Sequence, residues 1–363
     1  MTDDTPYPPR SSPIHGRGAA SRPDGRFEQW QRARFDDGWT AEEEANLPKT
    51  ELIVDTTKSV IVEARSPDIP FELSINPYRG CEHGCSYCFA RPTHSYLGYS
   101  AGLDFETKIL WKPDAPEILR SELARPHYRC RPIALGINTD AWQPIERKLG
   151  LTRRLLEVLC ETRHPVSIVT KGALIERDVD LLADMARDSL VQVMFSITTL
   201  ERELARSMEP RAATPARRLE AMRTLHEAGV PVGVLFAPLI PALNDHEMEV
   251  VLQASQQAGA TSAGYVLLRL PHELAALFPE WLQQHVPGRA EHVLSVLRQM
   301  HGGQVYDSRF GQRMKGSGVF AEFYRKRFAL AVERLGLNLD RESLNCAAFR
   351  PPRSASPQAD LFD

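Results

Sequence analysis

Short apolar runs alternate along the chain with segments whose apolar residues recur every three or four positions. The runs are rich in β-branched residues, as expected for parallel strands that are buried on both faces. They cover residues 132–137, 165–169, 190–195, 230–236 and 263–268. The helical pattern covers residues 151–159, 179–185, 215–228 and 246–258. Gly229 and Gly259 directly follow the last two segments, as glycine commonly does at a helix end.

Together with a first strand at 71–75, these runs make six strand–helix units. The pattern predicts an α/β fold, a partial (β/α)6 barrel, in which reactive groups gather at the carboxyl ends of the strands. Residues 51–55 and 59–63 are predicted to form a small strand pair ahead of it. Helices at 287–301 and 319–336 are predicted to extend beyond the barrel.

Composition bounds the chain on both sides of this barrel. Residues 1–48 are rich in Pro, Gly, Ser and Arg and are predicted to be a disordered leader. We expect a core at 49–270, a helical and basic-loop extension at 271–345, and a flexible tail at 346–363. The formal net charge of −3 gives no global attraction to nucleic acid or membrane. Without a signal-peptide pattern or a bilayer-length apolar run, we expect a soluble, cytoplasmic protein with no membrane contact.

Half of the six cysteines lie within one short loop, at Cys81, Cys85 and Cys88. Three thiolates can bind three irons of a four-iron cluster and leave the fourth iron open, whereas a structural site uses four protein ligands. Zinc, with His83 or His94 as a fourth ligand, is the alternative. The loop follows a strand and opens the series of strand–helix units, which favours the cluster.

The spacing of these cysteines, with Tyr87 before the last, resembles the radical S-adenosylmethionine (SAM) superfamily. Residues 66–81 and 102–108 are similar to a bacterial branch of it grouped with spore photoproduct lyase. This resemblance implies a radical-SAM barrel, a [4Fe–4S] cluster on the three cysteines, SAM as second cofactor, and a flavodoxin- or ferredoxin-type electron donor. It further implies a 5′-deoxyadenosyl radical that abstracts hydrogen from a substrate.

The lyase-like grouping makes a nucleic-acid lesion or modified base the leading substrate hypothesis. Radical modification of a peptide or a small metabolite is the alternative among enzymes. A non-catalytic protein that binds zinc or an iron–sulfur cluster is the alternative from another class.

The resemblance also implies a set of SAM contacts at the strand ends. Asp140 would accept from the SAM ammonium and Lys171 would pair with its carboxylate. The full set is Tyr87, Asn138, Thr139, Asp140, Lys171, Ser196, Thr198 and Ala237. Alternatively, Ser196, Thr198 and Thr199 cap the following helix, Asp140 pairs with Arg147, and Lys171 pairs with Glu176.

A cysteine outside the cluster returns a hydrogen atom to the product in spore photoproduct lyase. By that resemblance Cys130, just before the second strand, is a candidate catalytic donor. Tyr96 and Tyr99 are alternative donors, and a lone cysteine is often a small buried apolar residue.

A glycine-containing basic loop near the C-terminus carries Arg309, Arg313 and Lys315. These side chains could bind phosphate and contact nucleic acid. The alternative is a solvated loop that caps the barrel.

The last residues include Gln358, Asp360, Leu361 and Phe362. They resemble the short peptide by which bacterial repair proteins dock on the sliding clamp, which makes the clamp a candidate partner. The alternative is a tail whose resemblance arises by chance.

Overall fold

The computed structural model describes residues 16–23, 26–27, 49–339 and 343–352. The strands within these residues are β1 (Glu51–Val54), β2 (Val62–Glu63), β3 (Leu73–Ile75), β4 (Tyr78–Arg79), β5 (Lys108–Trp111), β6 (Ile133–Leu135), β7 (Val166–Thr170), β8 (Val191–Ser196), β9 (Val232–Leu239) and β10 (Ser262–Leu267).

Most helices connect successive strands, and the last three follow β10. They are α1 (Leu103–Thr107), α2 (Ala115–Leu123), α3 (Glu146–Leu149), α4 (Leu151–Glu161), α5 (Val179–Ala186), α6 (Arg202–Met208), α7 (Pro215–Glu227), α8 (Met248–Gln257), α9 (Leu274–His285), α10 (Pro287–Met300) and α11 (Gly318–Arg334). Among the described residues, no helix combines the length and the apolar character needed to cross a bilayer.

The main sheet has the strand order β10-β9-β8-β7-β6-β3-β2. Six strands, β3 and β6 to β10, pair in parallel, and β2 joins the β3 edge in antiparallel orientation. The order is that of an open barrel in which each strand lies next to its successor. The predicted α/β class with six strand–helix units is confirmed, and all six carboxyl ends lie along one edge of the sheet.

The predicted N-terminal strand pair is wrong in its pairing. β1 pairs in parallel with β5 in a small separate sheet of order β1-β5-β4, whereas β2 belongs to the main sheet. A local apolar run indicates that a segment is extended, but its partner is chosen by the rest of the fold. β4 therefore ties the start of the cysteine loop to β5 rather than to the barrel strands.

Helix α7 shows how local sequence sets an element that supports the site. Thr214 caps its first turn by accepting from the backbone N–H of Arg217, Pro215 occupies the first helical position, and Gly229 follows its end. This helix carries Arg218, whose contacts at the strand ends are described below.

The C-terminal extension packs on the last strand of the sheet. Asn338 binds the main chain of Ala263 with both side-chain atoms, at 2.9 Å and 3.0 Å. The backbone N–H of Leu267 donates to the carbonyl oxygen of Met314 at 3.0 Å. The boundary at residue 270 stays a prediction.

Candidate active site

The three cysteines lie on a loop whose course depends on glycine. The backbone N–H of Cys81 donates to the carbonyl oxygen of Phe105 at 2.9 Å. Gly80 and Gly84 have φ angles of 85° and 67°, in the left-handed region that other residues rarely adopt. A Cβ on Gly80 would come within 2.9 Å of the Phe105 carbonyl oxygen. Glycine at position 80 therefore allows the loop to approach helix α1 closely.

The donor set on this loop fits an iron–sulfur cluster. Cys81 and Cys85 are buried and Cys88 is half-buried. Burial raises the pKa of all three thiols, that of Cys85 to about 12. Negative charge on Asp140, Cys85 and Cys88 raises the pKa of Cys81 further, which indicates that the sulfurs share one space. Thiolates in such a place need adjacent positive charge, and iron ions supply it.

Each histidine of the zinc alternative has one ring nitrogen next to a protein oxygen, and the second ring nitrogen of His94 is buried without a hydrogen-bond partner. His83 Nδ1 lies 3.4 Å from Asp140 Oδ2, and His94 Nε2 lies 3.0 Å from the carbonyl oxygen of Lys108. Within the described residues, no three His, Cys, Asp or Glu side chains lie close enough together to hold a single metal ion. In a four-iron cluster each thiolate binds a different iron, so the ligands stand farther apart than those of one ion.

A buried arginine, Arg91, binds the backbone of the cysteine loop. Arg91 is 0% exposed, and its guanidinium donates to the carbonyl oxygens of Cys85 at 2.8 Å and Gly84 at 3.1 Å. It also donates to the carbonyl oxygen of Gly102 at 2.9 Å and forms an ion pair with Glu106 at 2.6 Å. One side chain therefore joins the loop to α1.

Part of the N-terminal region covers this support. The backbone N–H of Gly18 donates to Glu106 at 3.1 Å. A Cβ on Gly18 would come within 1.6 Å of the Gly84 carbonyl oxygen, so only glycine fits. The prediction of disorder across 1–48 is therefore wrong for residues 16–23, which pack against the cysteine loop. Most of the remaining leader lies outside the described residues.

Asp140, predicted to meet the SAM ammonium, stands at the carboxyl end of β6 with protein donors around it. Its Oδ1 accepts from Thr170 Oγ1 at 2.8 Å, and its Oδ2 accepts from the backbone N–H of Lys171 at 2.6 Å. His83 lies beside the same carboxylate, as given above. Among the described residues, Asp140 forms no ion pair with Arg147, which was the alternative role.

The side chains predicted after β7, β8 and β9 meet in one network. Lys171 Nζ donates to Ser196 Oγ at 2.7 Å, and Ser196 Oγ donates to the carbonyl oxygen of Ala237 at 3.0 Å. Thr198 Oγ1 lies 3.2 Å from the same carbonyl oxygen. Lys171 Nζ also lies 5.8 Å from the ring centroid of Tyr87. Five residues predicted as SAM contacts are thus brought together beside the cysteine loop.

The other alternative partners at these strand ends are not observed. Glu176 pairs with Arg217 at 2.6 Å rather than with Lys171. Thr199 donates to Glu247, and α6 has no side-chain cap at its first turn.

A carboxylate that sequence reasoning missed anchors this network. Glu209 is buried and accepts from the Tyr87 hydroxyl, from Thr198 Oγ1 at 2.7 Å, and from Arg218. Arg218 also donates to the carbonyl oxygen of Ser196 at 2.8 Å. The pair therefore holds the end of β8 and the ring of Tyr87 in one position.

Charge keeps Glu209 ionised. Burial by itself would raise the pKa of Glu209, but Arg218 and Lys171 outweigh it and lower the pKa to about 2. A signal for Arg218 existed in the sequence, since it lies on the face of α7 that also buries Ala221 and Leu225. A charge on a buried helix face requires a partner.

Asn138 and Thr139 lie apart from this network. The Asn138 side chain is exposed, and its backbone N–H donates to Asn76 Oδ1 at 2.9 Å. Thr139 Oγ1 donates to the carbonyl oxygen of Tyr78 at 2.7 Å. In this structure both residues tie the β6 loop to the start of the cysteine loop.

An apolar cluster packs beneath the loop on the side of the extension. It joins Cys85 and Tyr87 to Met208 of α6 and to Leu274 and Trp281 of α9. This packing keeps water from one side of the thiols.

The proposed hydrogen donor Cys130 does not fit that role. It precedes β6, at the amino-terminal edge of the sheet, while Cys81 and Asp140 lie at the carboxyl edge. The pKa of Cys130 is raised to about 12 by burial and by the neighbouring Cys346 thiol. Position before a strand, rather than after it, places a residue on the wrong side of a parallel sheet.

The basic loop is neutralised in part by the protein itself. Arg309 forms an ion pair with Asp307 at 2.6 Å, and Arg313 forms one with Asp68. Lys315 is exposed. Two of the three predicted phosphate ligands are therefore already engaged. The clamp-like residues at 358–362 lie outside the described residues.

A family model and two relatives match the chain by sequence. The model for the radical SAM superfamily matches residues 75–254. An uncharacterised protein of Mycobacterium tuberculosis is 38% identical over 221 residues, 60% of this chain and 65% of the relative. An uncharacterised protein of Methanocaldococcus jannaschii is 30% identical over 199 residues, 55% of this chain and 71% of the relative. The chain thus matches just under two thirds of the length of the mycobacterial relative.

Solved structures support the same fold. Spore photoproduct lyase superposes with a TM-score of 0.57 at 16% identity, covering 79% of this chain and 80% of the lyase. A complex of that lyase with dinucleoside spore photoproduct has a TM-score of 0.53 over the same coverage. At this identity the likeness concerns the fold.

Proposed function

The chain belongs to the radical SAM superfamily, and on that premise we propose that it is an enzyme that holds a [4Fe–4S] cluster on Cys81, Cys85 and Cys88. The observation that carries this proposal is the thiol triplet, with Cys81 and Cys85 buried and Cys88 half-buried, beside a hydrogen-bonded set of strand ends. When bound, the cluster and SAM supply a 5′-deoxyadenosyl radical that abstracts hydrogen from a substrate.

The residues at the strand ends would bind and orient SAM. Asp140 would accept from its ammonium, and Lys171 would pair with its carboxylate. Ser196 and Thr198 offer hydroxyls for the ribose. Because protein partners already fix these side chains, little conformational freedom is lost when the cofactor binds.

Tyr87 and Ala237 would border the adenine. The hydroxyl of Tyr87 is fixed by Glu209, which leaves the ring in a single orientation next to Cys88. The apolar cluster under the loop would exclude water from the reacting atoms. Asn138 and Thr139 would act by fixing the loop that carries Asp140.

For the substrate, we propose a nucleic-acid lesion or a modified base. The likeness in fold to a lyase complexed with dinucleoside spore photoproduct supports this choice. A flavodoxin- or ferredoxin-type donor would supply electrons in the cytoplasm. The clamp-like tail would bring the enzyme to DNA.

Anaerobic reconstitution tests the enzyme proposal. The wild-type chain, reconstituted with iron and sulfide and reduced, should convert SAM to 5′-deoxyadenosine and methionine. Cys85→Ala should lose this turnover and the visible absorption of the cluster, because three thiolates are needed to hold it. Cys160→Ala, a half-buried cysteine on α4, is the matched control and should retain both signals.

Each result has a distinct meaning. Iron binding without any SAM cleavage would contradict the enzyme proposal and favour a non-catalytic iron–sulfur protein. Zinc retained by Cys85→Ala as well as by the wild type would contradict the cluster ligands. Full-length protein without clamp affinity would contradict the role of the tail, which deletion of residues 358–363 tests separately.

A further inference from the structure

A cleft of about 820 Å³ opens between the cysteine loop and the C-terminal extension. One side carries Phe89, the residue directly after the last cysteine, and Tyr96. The other side carries Arg269, two residues beyond β10, with His301 and Tyr306. None of the residues proposed for SAM lines this cleft. It is therefore a second site that shares only the cysteine loop with the first.

Four arginines line the cleft, and one of them, Arg269, forms no ion pair with the described residues. The pKa of Asp68 is lowered by the backbone N–H of Gly311, by Arg313 and also by the charge of Arg269. Arg26 pairs with Glu273 at 3.4 Å, and Arg309 and Arg313 have the ion pairs given above. Arg269 instead stacks its guanidinium over the ring of Phe89, with 4.9 Å between the guanidinium carbon and the ring centroid. Its Nε is buried without a hydrogen-bond partner.

The stacked geometry determines what Arg269 can bind. A guanidinium that lies over a ring is attracted to it as a cation and still carries N–H donors that a ligand can bind. Such a planar set of donors matches the oxygens of a phosphate. A buried donor without a partner costs free energy, which an incoming oxyanion would recover.

The remaining lining suits a nucleobase. Phe89 is 38% exposed and Tyr96 is 68% exposed, so part of each ring is accessible from the cleft. The Tyr96 ring also lies 4.9 Å from the Phe27 ring and 4.9 Å from the guanidinium carbon of Arg26. His301 is 4% exposed, and neither of its ring nitrogens has a partner. Burial lowers the pKa of His301, so the neutral ring offers one donor and one acceptor, as the edge of a base requires.

We propose that this cleft binds one nucleotide of a single-stranded or locally unpaired nucleic acid, with its phosphodiester at Arg269 and its base against Phe89 and Tyr96. The volume lies in the range of ligand-sized pockets, so the cleft admits an extruded nucleotide and not a duplex. The inference rests on the proposed function, since it names the substrate class that the same enzyme would take.

Fluorescence anisotropy with the reconstituted full chain tests the cleft. The probe is a fluorescein-labelled single-stranded deoxythymidylate hexamer. Arg269→Gln should weaken binding about tenfold and reduce the slope of log affinity against log salt by about 0.7, the value for one lost phosphate contact. Phe89→Leu should weaken binding at least about fivefold through lost stacking. Arg298→Gln, an exposed arginine of α10 outside the cleft, is the control and should change affinity less than about twofold.

The failures are distinguishable. Wild-type protein that cleaves SAM but does not bind the hexamer would overturn the cleft and leave the enzyme proposal intact. Hexamer binding without SAM cleavage would overturn the enzyme proposal and leave the nucleotide-binding cleft intact. Equal weakening by Arg269→Gln and Arg298→Gln would show only general charge attraction and would overturn the site. An abasic hexamer that binds as tightly would remove the base from the assignment, and a polyglutamate peptide that binds as tightly would overturn the choice of nucleic acid.

Discussion

The strand ends of β6 to β9 and the cleft beside β10 differ in how their polar groups are satisfied. At the strand ends, Asp140, Lys171 and Glu209 each have protein partners at hydrogen-bonding distance. In the cleft, Arg269 and His301 keep buried nitrogen atoms without partners. Both regions carry charge and both touch the cysteine loop, yet only the first is complete without a ligand.

The difference indicates how each region contributes to the fold. A buried charge with a matched partner is part of the native structure, and removing one member leaves the other unpaired. An unmatched group contributes little to the folded state and gains its partner on binding. Substitutions in the first region should therefore lower the free energy of unfolding, and substitutions in the second should change it little.

The largest effect is expected for Arg218→Met. This change leaves the carboxylate of Glu209 buried and without its guanidinium, at a cost of about 3–5 kcal/mol in the free energy of unfolding. Urea denaturation followed by tryptophan fluorescence measures it. The double variant Arg218→Met, Glu209→Gln should recover part of the loss, and Arg298→Met, from an exposed pair, should lose less than about 1 kcal/mol. Equal losses for both single variants would contradict the comparison.

A pH dependence should follow from the same pair. The pKa of Glu209 is about 2 in the folded state, against about 4.3 in an unfolded chain. Because the folded value is lower, the stabilisation is present above pH about 4.3 and is lost as the pH falls toward about 2. The difference in unfolding free energy between wild type and Glu209→Gln should therefore shrink between pH about 5 and about 3. A difference that stays constant over this interval would show that folding does not shift the pKa of Glu209, and a difference that grows as the pH falls would show that Glu209 is protonated in the native state.

A smaller effect is expected for Tyr87→Phe, which removes the hydroxyl that donates to Glu209 and keeps the ring. The loss should be about 1–2 kcal/mol, because the charged acceptor loses one hydrogen bond in a dry site. Tyr99→Phe is the matched control, since its hydroxyl has no hydrogen bond to the described residues. Chemical denaturation of both variants should separate them, and indistinguishable midpoints would argue against the network.

The smallest effect is expected for Arg269→Gln. Only its stacking on Phe89 is lost, which is worth about 1 kcal/mol or less at a partly exposed site. Thermal and urea unfolding should give nearly wild-type values while nucleotide binding falls. A loss as large as that of Arg218→Met would mean that Arg269 is a structural residue and that the two regions do not differ.

The strands of the barrel could be predicted closely because each is short, apolar and buried on both faces. The run at 165–169, for example, becomes Val166–Thr170. The cysteine loop could be predicted equally well because its three cysteines lie within eight residues. The pairing at the edge of the sheet was harder to predict. Cys130 was proposed as a hydrogen donor because it lies close to a strand, but closeness alone does not show at which end of the strand a residue lies.

Contacts between residues that are far apart in the sequence could not be predicted from the hydrophobic pattern. The sequence around Arg91 does not predict that Glu106 is buried beside it. Glu209 is a single acidic residue before a proline, and its local sequence does not predict its buried partners. The partner of β1 lies more than fifty residues away in β5, a choice made by the assembled fold. Charged residues that are buried by tertiary contacts give little signal in the sequence, and Arg218 on the apolar face of α7 is one example of such a signal.

An open sheet ends in a strand with unpaired main-chain groups, which can template pairing with another molecule. On β10, the side-chain amide of Asn338 takes the place of a neighbouring strand. It accepts from the backbone N–H of Ala263 and donates to the carbonyl oxygen of the same residue. Its own backbone N–H donates to the carbonyl oxygen of Thr261 at 2.9 Å. One side chain thus lets the barrel remain unclosed without leaving that stretch of its edge available for self-association.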